Sequence, residues 1–228
     1  MKSFRPSIVL LLVTVAASAT TTASAQPLSS VDSLYSKAGV IRITDPLALE
    51  VGSAEPGQNV FAITLSDIYK FTGHVCGGVA SGFLLTKEAL EKLFPDDTPD
   101  RGRLKVRASR SDCFLDPILL ITGTRAPLDG STGDHSEFVI DKSLPAGEGE
   151  VVILFERTDN KRKVKAVWSG KKMFSTLEDK ERFVSLKGRV EAKTATREES
   201  EAFGVMVQQI VADMISGTNK PFSVEVIQ

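Results

Sequence analysis

Two cysteines, Cys76 and Cys113, and two histidines, His74 and His135, are the thiol and imidazole groups of this chain. His74 and Cys76 stand one residue apart. In an extended link, side chains at i and i+2 point the same way, so an imidazole and a thiol can reach one metal ion. Cys76 also lies just before a helical pattern, where free N–H groups and the helix dipole stabilise a thiolate. Gly77 and Gly78 leave that approach open. The same run also reads as a glycine-rich turn around a disulfide cysteine. A second group, Asp112-Cys113-x-x-Asp116, again ends a strand and leads into a helix. Cys113 can join Cys76 on one metal or bond to it directly; the spacing leaves both open. Asp116 is placed to cap the helix that follows. Such ligands favour zinc, nickel or copper over magnesium.

Weaker candidates lie elsewhere. His135, in Gly133-Asp134-His135-Ser136-Glu137, can line a site with Asp134 or simply face solvent. Leu128–Gly133 lacks the lysine and the helix of a phosphate loop. There is no convincing Ser-His-Asp arrangement. Lys161, Arg162, Lys163, Lys165, Lys171 and Lys172 read as a solvated edge that blocks strand pairing. With 28 basic and 29 acidic side chains the chain carries a net charge of −1, which offers no excess for nucleic acid or an anionic membrane.

The elements that must position these residues are legible in part. Residues 26–57 read as a lead-in with a β-like run at Val40–Thr44, packing on the domain without organising it. Val60–Leu65 is a strand, and Ser66 caps a short helix reaching Phe71. The clearest helix runs from Gly78 to Phe94, with Val79, Phe83, Thr86, Leu90 and Leu93 at steps of four and three. Gly78 and Gly82 line a second edge, where another backbone can approach. Leu104–Ser109 alternates as a strand, and a helix through Ile118–Ile121 ends at Gly123. Glu137–Ile140 is a strand, and Val151–Arg157 with Lys163–Trp168 makes a hairpin. Thr176 with Asp179, and Thr196 with Glu199, are capping boxes for two further helices, the second ending at Gly217. Phe222–Ile227 closes the chain as a strand. Strands and helices without βαβ alternation predict an α+β fold: one mixed domain, a central mostly antiparallel sheet and packed helices.

A leader precedes that domain. Lys2 and Arg5, the apolar run Ile8–Ala17 and Ala23-Ser24-Ala25 form the three parts of a secretory signal peptide over residues 1–25. The apolar run is shorter than the roughly 20 residues that span a bilayer. No membrane anchor is expected after cleavage, so the protein should be periplasmic or secreted. An oxidising compartment favours a disulfide between the two cysteines.

The motifs together resemble one family. Phe71-Thr72-Gly73-His74-Val75-Cys76-Gly77-Gly78-Val79-Ala80-Ser81-Gly82 resembles the F-H-G-H-x-C-P-G-x-x-x-G signature of the formylmethanofuran dehydrogenase E-subunit family. Ser111-Asp112-Cys113-Phe114-Leu115-Asp116 is similar to its second motif. Ile121-Thr122-Gly123 falls where the family has T-G-C-T, and the Thr194–Glu199 run, long helix and Phe222 strand are also similar. The resemblance covers roughly Ser66–Val226, within a family domain drawn over residues 58–228. It implies an α+β fold, a homodimer, and a transition metal, zinc first, held by His74, Cys76, Cys113 and Asp116. It assigns no catalytic residue. Three departures stand out: Thr72 replaces the first histidine, Gly77 the proline and Thr124 the third-motif cysteine. One thiolate fewer lowers metal affinity and eases oxidation of the remaining pair. Three readings follow: an exported metal-binding protein, a non-catalytic module stapled by Cys76–Cys113, or a metal- or thiol-dependent enzyme acting on a small molecule.

Overall fold

A computed structural model describes residues 30–124 and 137–228. The leader, residues 26–29, the Leu128–Gly133 loop and His135 with Asp134 lie outside these described residues.

The N-terminal part is a helix, α1 (Ser30–Ser36), and a two-stranded antiparallel ribbon of β1 (Val40–Thr44) and β2 (Val60–Thr64), with a one-turn helix α2 (Pro46–Glu50) between them. It does more than lie on the domain. Tyr35, Ile41 and Ile43 are buried in the same core as the rest of the chain. Helix α3 (Leu65–Thr72) follows. Its cap is Thr64 rather than Ser66: the Thr64 hydroxyl accepts from the Asp67 N–H, and the Asp67 carboxylate accepts from the Thr64 N–H. Ser66 suits a cap by residue type, but the β2 register carries Thr64 to the end of the strand, one turn from Asp67.

Helix α4 (Gly77–Leu93) is the centre of the molecule. Its predicted stripe of Val79, Phe83, Thr86, Leu90 and Leu93 is buried throughout, and so are Gly78, Ala80, Ser81, Gly82, Leu85 and Ala89. A helix apolar on nearly every side needs neighbours all round. They are α5 (Leu115–Thr122), α7 (Arg197–Ser216) and one face of the main sheet. Burying each side chain the size of Phe83 or Leu90 contributes about 1.5–3 kcal/mol.

That sheet has five strands in the order β4-β3-β5-β6-β7: β3 (Leu104–Ala108), β4 (Glu137–Ile140), β5 (Glu150–Arg157), β6 (Lys163–Ser169) and β7 (Phe222–Val226). Only β3 with β4 is parallel; the other pairings are antiparallel. The fold is therefore α+β, with a mixed sheet beside the antiparallel ribbon. Val106, Phe155, Val164 and Val226 are in register on the face toward α4, and so are Ile153, Ala166 and Val224. The opposite face carries cross-strand charges, with Lys105 paired to Glu137 and Lys165 to Glu225. This corrects the reading of the basic run as a guarded edge. β6 is paired on both sides, so Lys163 and Lys165 alternate onto the open face and have no edge to block.

Helices α6 (Leu177–Glu191) and α7 form a hairpin. Thr176 and Thr196 cap them, the second with the full reciprocal box, and Gly217 ends α7 in the left-handed conformation. Among the described residues no helix is long and apolar enough to cross a membrane.

One polar cluster ties the sheet to the end of α4. The Arg157 side chain is 9% exposed; it donates to Asp97 and Asp159, and its guanidinium lies 4.5 Å from the Phe94 ring centre. Truncating it removes several charge-assisted bonds and the stem's packing, while the more exposed carboxylates return to water. Arg157→Ala should cost about 2 kcal/mol in urea unfolding. A change below a few tenths of that would mean the network contributes nothing.

Candidate thiol and metal site

The site begins where α3 ends. Gly73, in the left-handed conformation at φ 73°, closes α3 and turns the chain into the link Gly73–Cys76. Val75 is buried, while His74 before it is exposed and Cys76 after it is half-buried at the edge of the core. Thr72 fixes the loop. Its hydroxyl is 2.6 Å from the His74 carbonyl and 3.0 Å from that of Ile68. His74 Nδ1 is 3.1 Å from the Thr72 carbonyl, which calls for a proton on Nδ1 and, in the neutral ring, leaves the lone pair on Nε2. The residue standing for the signature's first histidine thus orients the second.

Cys76 sits at the N-cap of α4, in extended backbone at φ −104° and ψ 177°. Its sulfur is 3.9 Å from that of Cys113, and no disulfide joins them. Cys113 comes from the turn before α5, where its N–H donates to the Asp112 carboxylate. Phe114, next in the chain, is fully buried and stacks on Trp168 at 5.2 Å. Two glycines of α4 let this turn approach. A Cβ at position 78 would stand 2.5 Å from the Cys113 sulfur and 3.7 Å from that of Cys76. A Cβ at position 82 would stand 2.2 Å from the Phe114 carbonyl oxygen. The glycine edge predicted for a close backbone approach is where the second cysteine docks.

The two thiols share one proton unequally. Cys76 is drawn down to about 5, chiefly by the hydrogen bond from Cys113. Burial opposes this, and the N–H groups of Val79 and Gly78 and the charge of His74 add to it. These N–H groups lean toward the sulfur without making a regular cap bond, and the helix start adds its field. Cys113 is pushed far up, first because it donates that bond, then by burial and the charges of Cys76 and Asp112. For His74 the largest influence, burial, lowers its pKa; the Thr72 carbonyl, Cys76 and Asp116 outweigh it and the net shift is upward. Asp116 is therefore near enough for its charge to be felt at His74. It lies in the first turn of α5 but does not cap it; the N-cap position is Phe114, with no side-chain bond. The helix starts two residues early because the Leu115 N–H already bonds the Asp112 carbonyl.

In metal-free protein the alkylation rate of Cys76 should stay level from about pH 8 to about 6 and fall tenfold per unit below about 5. Cys113→Ala should move the bend upward, because the strongest stabilising donor is removed. An unchanged bend near 8.5, the ordinary thiol value, would count against the shared proton.

His74, Cys76, Cys113 and Asp116 thus share one neighbourhood. Only the two sulfurs are within bonding reach of a common ion as placed, and no group of three or more His, Cys, Asp or Glu is closed to ligand distance among the described residues. The sulfur spacing itself fits a metal: two thiolates at about 2.3 Å on a tetrahedral zinc stand about 3.8 Å apart. Thr124, in place of the third-motif cysteine, is buried beyond the other end of α5, with its hydroxyl 2.8 Å from that of Thr122. Sequence reading missed Tyr35 and Gln208. The Tyr35 hydroxyl and the Gln208 side chain are 3.4 Å apart, and Gln208 donates to the Val75 carbonyl between the two site residues. Burial raises the Tyr35 pKa, and the charge of Cys76 adds to that. Separations of 173 and 133 residues leave no local signal for such contacts.

Fold and site define an α+β domain in which a paired-thiol loop opens the central helix. A family model described as FmdE, molybdenum formylmethanofuran dehydrogenase operon, matches residues 71–221, and the chain belongs to this family. The match takes in both cysteine motifs. No curated protein and no solved structure matches the chain.

Proposed function

We propose that this chain is an exported metal-binding protein that holds a transition metal, zinc first, through Cys76 and Cys113 with His74 Nε2. The 3.9 Å separation of the sulfurs is the observation that carries the reading. The orientation of His74 by Thr72 supports it, because a ligating imidazole usually has its other nitrogen engaged. Asp116 or water completes the set and leaves an open position. The leader of residues 1–25 supports export, which N-terminal sequencing of the mature protein tests.

The deciding experiment is metal analysis of reduced, freshly purified protein. About one ion per chain is expected, with His74→Ala losing most of it. A chain free of metal after incubation with zinc, or a His74→Ala variant that binds as wild type, would end this reading. Metal binding must also displace the proton that Cys113 keeps. Zinc added in weak buffer at pH 7 should release more than one proton per ion, one from Cys113 and a further fraction from the His74 imidazole, whose pKa is raised, so affinity rises with pH. Release of none would leave Cys76 as the only thiolate ligand.

The homodimer belongs to the same reading. Leu177, Val184 and Val205 stand exposed on the α6–α7 hairpin, and a second copy would have apolar surface to cover there. Sedimentation of the reduced protein checks it: a monomer at tens of micromolar would remove it.

A further inference from the structure

We propose that Cys76 and Cys113 form a reversible two-electron redox couple, and that a hydroperoxide closes it to an intramolecular disulfide and expels the metal. The couple rests on the arrangement of the sulfurs; the expulsion rests on the metal reading above.

Three observations carry it. First, the sulfurs are 3.9 Å apart and not joined by a disulfide. A disulfide needs about 2.0 Å, so each must move by about 1 Å. Second, the space they move through is clear. Both sulfurs border the position where a side chain at Gly78 would stand. Third, Cys113 is exposed on a turn and Cys76 is half-buried beside it. A small oxidant can reach the pair, and a resolving thiol is already in place. The chain has no third cysteine to divert the reaction.

The chemistry balances with one hydroperoxide. The Cys76 sulfur attacks the outer peroxide oxygen, the O–O bond breaks, and the alcohol leaves with a proton. Cys76 is then a sulfenic acid. The Cys113 sulfur attacks it, forms the S–S bond and displaces water, to which its own proton goes. Two thiols have lost two electrons, and the peroxide has become an alcohol and water. A disulfide has no anionic sulfur left to bind an ion, so metal held by two thiolates is released. A thiol reductant restores both sulfurs and the site.

The test uses the full chain, reduced and metal-free, titrated with hydrogen peroxide. Free thiols should fall from two to none per chain for each peroxide consumed, and the mass should drop by two hydrogens. The product should run as a monomer on a non-reducing gel. Cys113→Ser should stop at a Cys76 sulfenic acid, captured by dimedone; the fluorescence of Trp168, stacked on Phe114, shows whether that variant keeps its fold. Accumulation of sulfenic or sulfinic acid in the wild type, or disulfides only between chains, overturns the couple. In the second arm, zinc-loaded protein is oxidised with a chromophoric chelator present. Release of the bound zinc, with rebinding after reductant, is expected. Zinc that stays bound after both thiols are gone overturns the expulsion. Zinc that never binds the reduced chain overturns both the metal reading and the expulsion, while the thiol count still decides the couple.

Discussion

Gly82→Ala is expected to destabilise the protein by about 3 kcal/mol, seen as an earlier midpoint in urea unfolding with an unchanged slope. Alanine is the better helix former by about 1 kcal/mol, so propensity alone predicts a gain. Packing reverses the sign. The new methyl would lie 2.2 Å from the Phe114 carbonyl oxygen and 2.8 Å from the Pro117 ring. A backbone carbonyl cannot turn aside, so the whole start of α5 must withdraw from α4. Phe114 would then lose its seat against Trp168, and Cys113 would move with it. Loss of metal should therefore accompany loss of stability. A variant as stable as wild type would mean that α4 and α5 do not pack this closely.

Gly78→Ala separates the two consequences. Here the clash is with the Cys113 sulfur, at 2.5 Å, while the nearest backbone atom is 3.9 Å away. A thiol can rotate where a carbonyl cannot. The fold should keep its stability to within about 1 kcal/mol, but the sulfur must leave its place beside Cys76. Metal affinity should fall about 100-fold or more, since a two-thiolate site becomes a one-thiolate site. The Cys76 thiol should also lose its strongest stabilising partner, so its alkylation profile moves to higher pH. Isothermal titration with zinc and thiol alkylation across pH measure both. Wild-type affinity in Gly78→Ala would show that Cys113 is not a ligand.

The two glycines also show how far the chain can be read unaided. Their spacing on α4 announced that some backbone comes close, because only a residue without a Cβ permits it. Which backbone it was had no local signature. The partner lies more than thirty residues on, in a turn whose own sequence says only that a helix follows. Similarly, the strands Val40–Thr44 and Glu137–Ile140 were legible from β-branched and alternating residues, and both stand in the structure with those bounds. Their pairing was not legible. β4 lies parallel to β3, whereas the hairpin of β5 and β6 is antiparallel, and strand composition does not distinguish these. The caps of α3 and α5 differ from expectation for a related reason. Ser66 and Asp116 are good capping residues, but the register of β2 and the tight Asp112 turn placed other residues at the helix starts.

Sequence alone determined the family, through two ordered cysteine motifs that a model over residues 71–221 also matches. It determined the α+β class and named His74, Cys76, Cys113 and Asp116, because residue type and short-range spacing are written in the chain itself. The tertiary structure decided that the two sulfurs meet, at 3.9 Å, over the start of a buried helix. It also set their unequal surroundings: Cys113 and the helix start draw the Cys76 thiol down, while Cys76 and burial push Cys113 up. Distance and field come from packing elements far apart in sequence, and local spacing does not encode either.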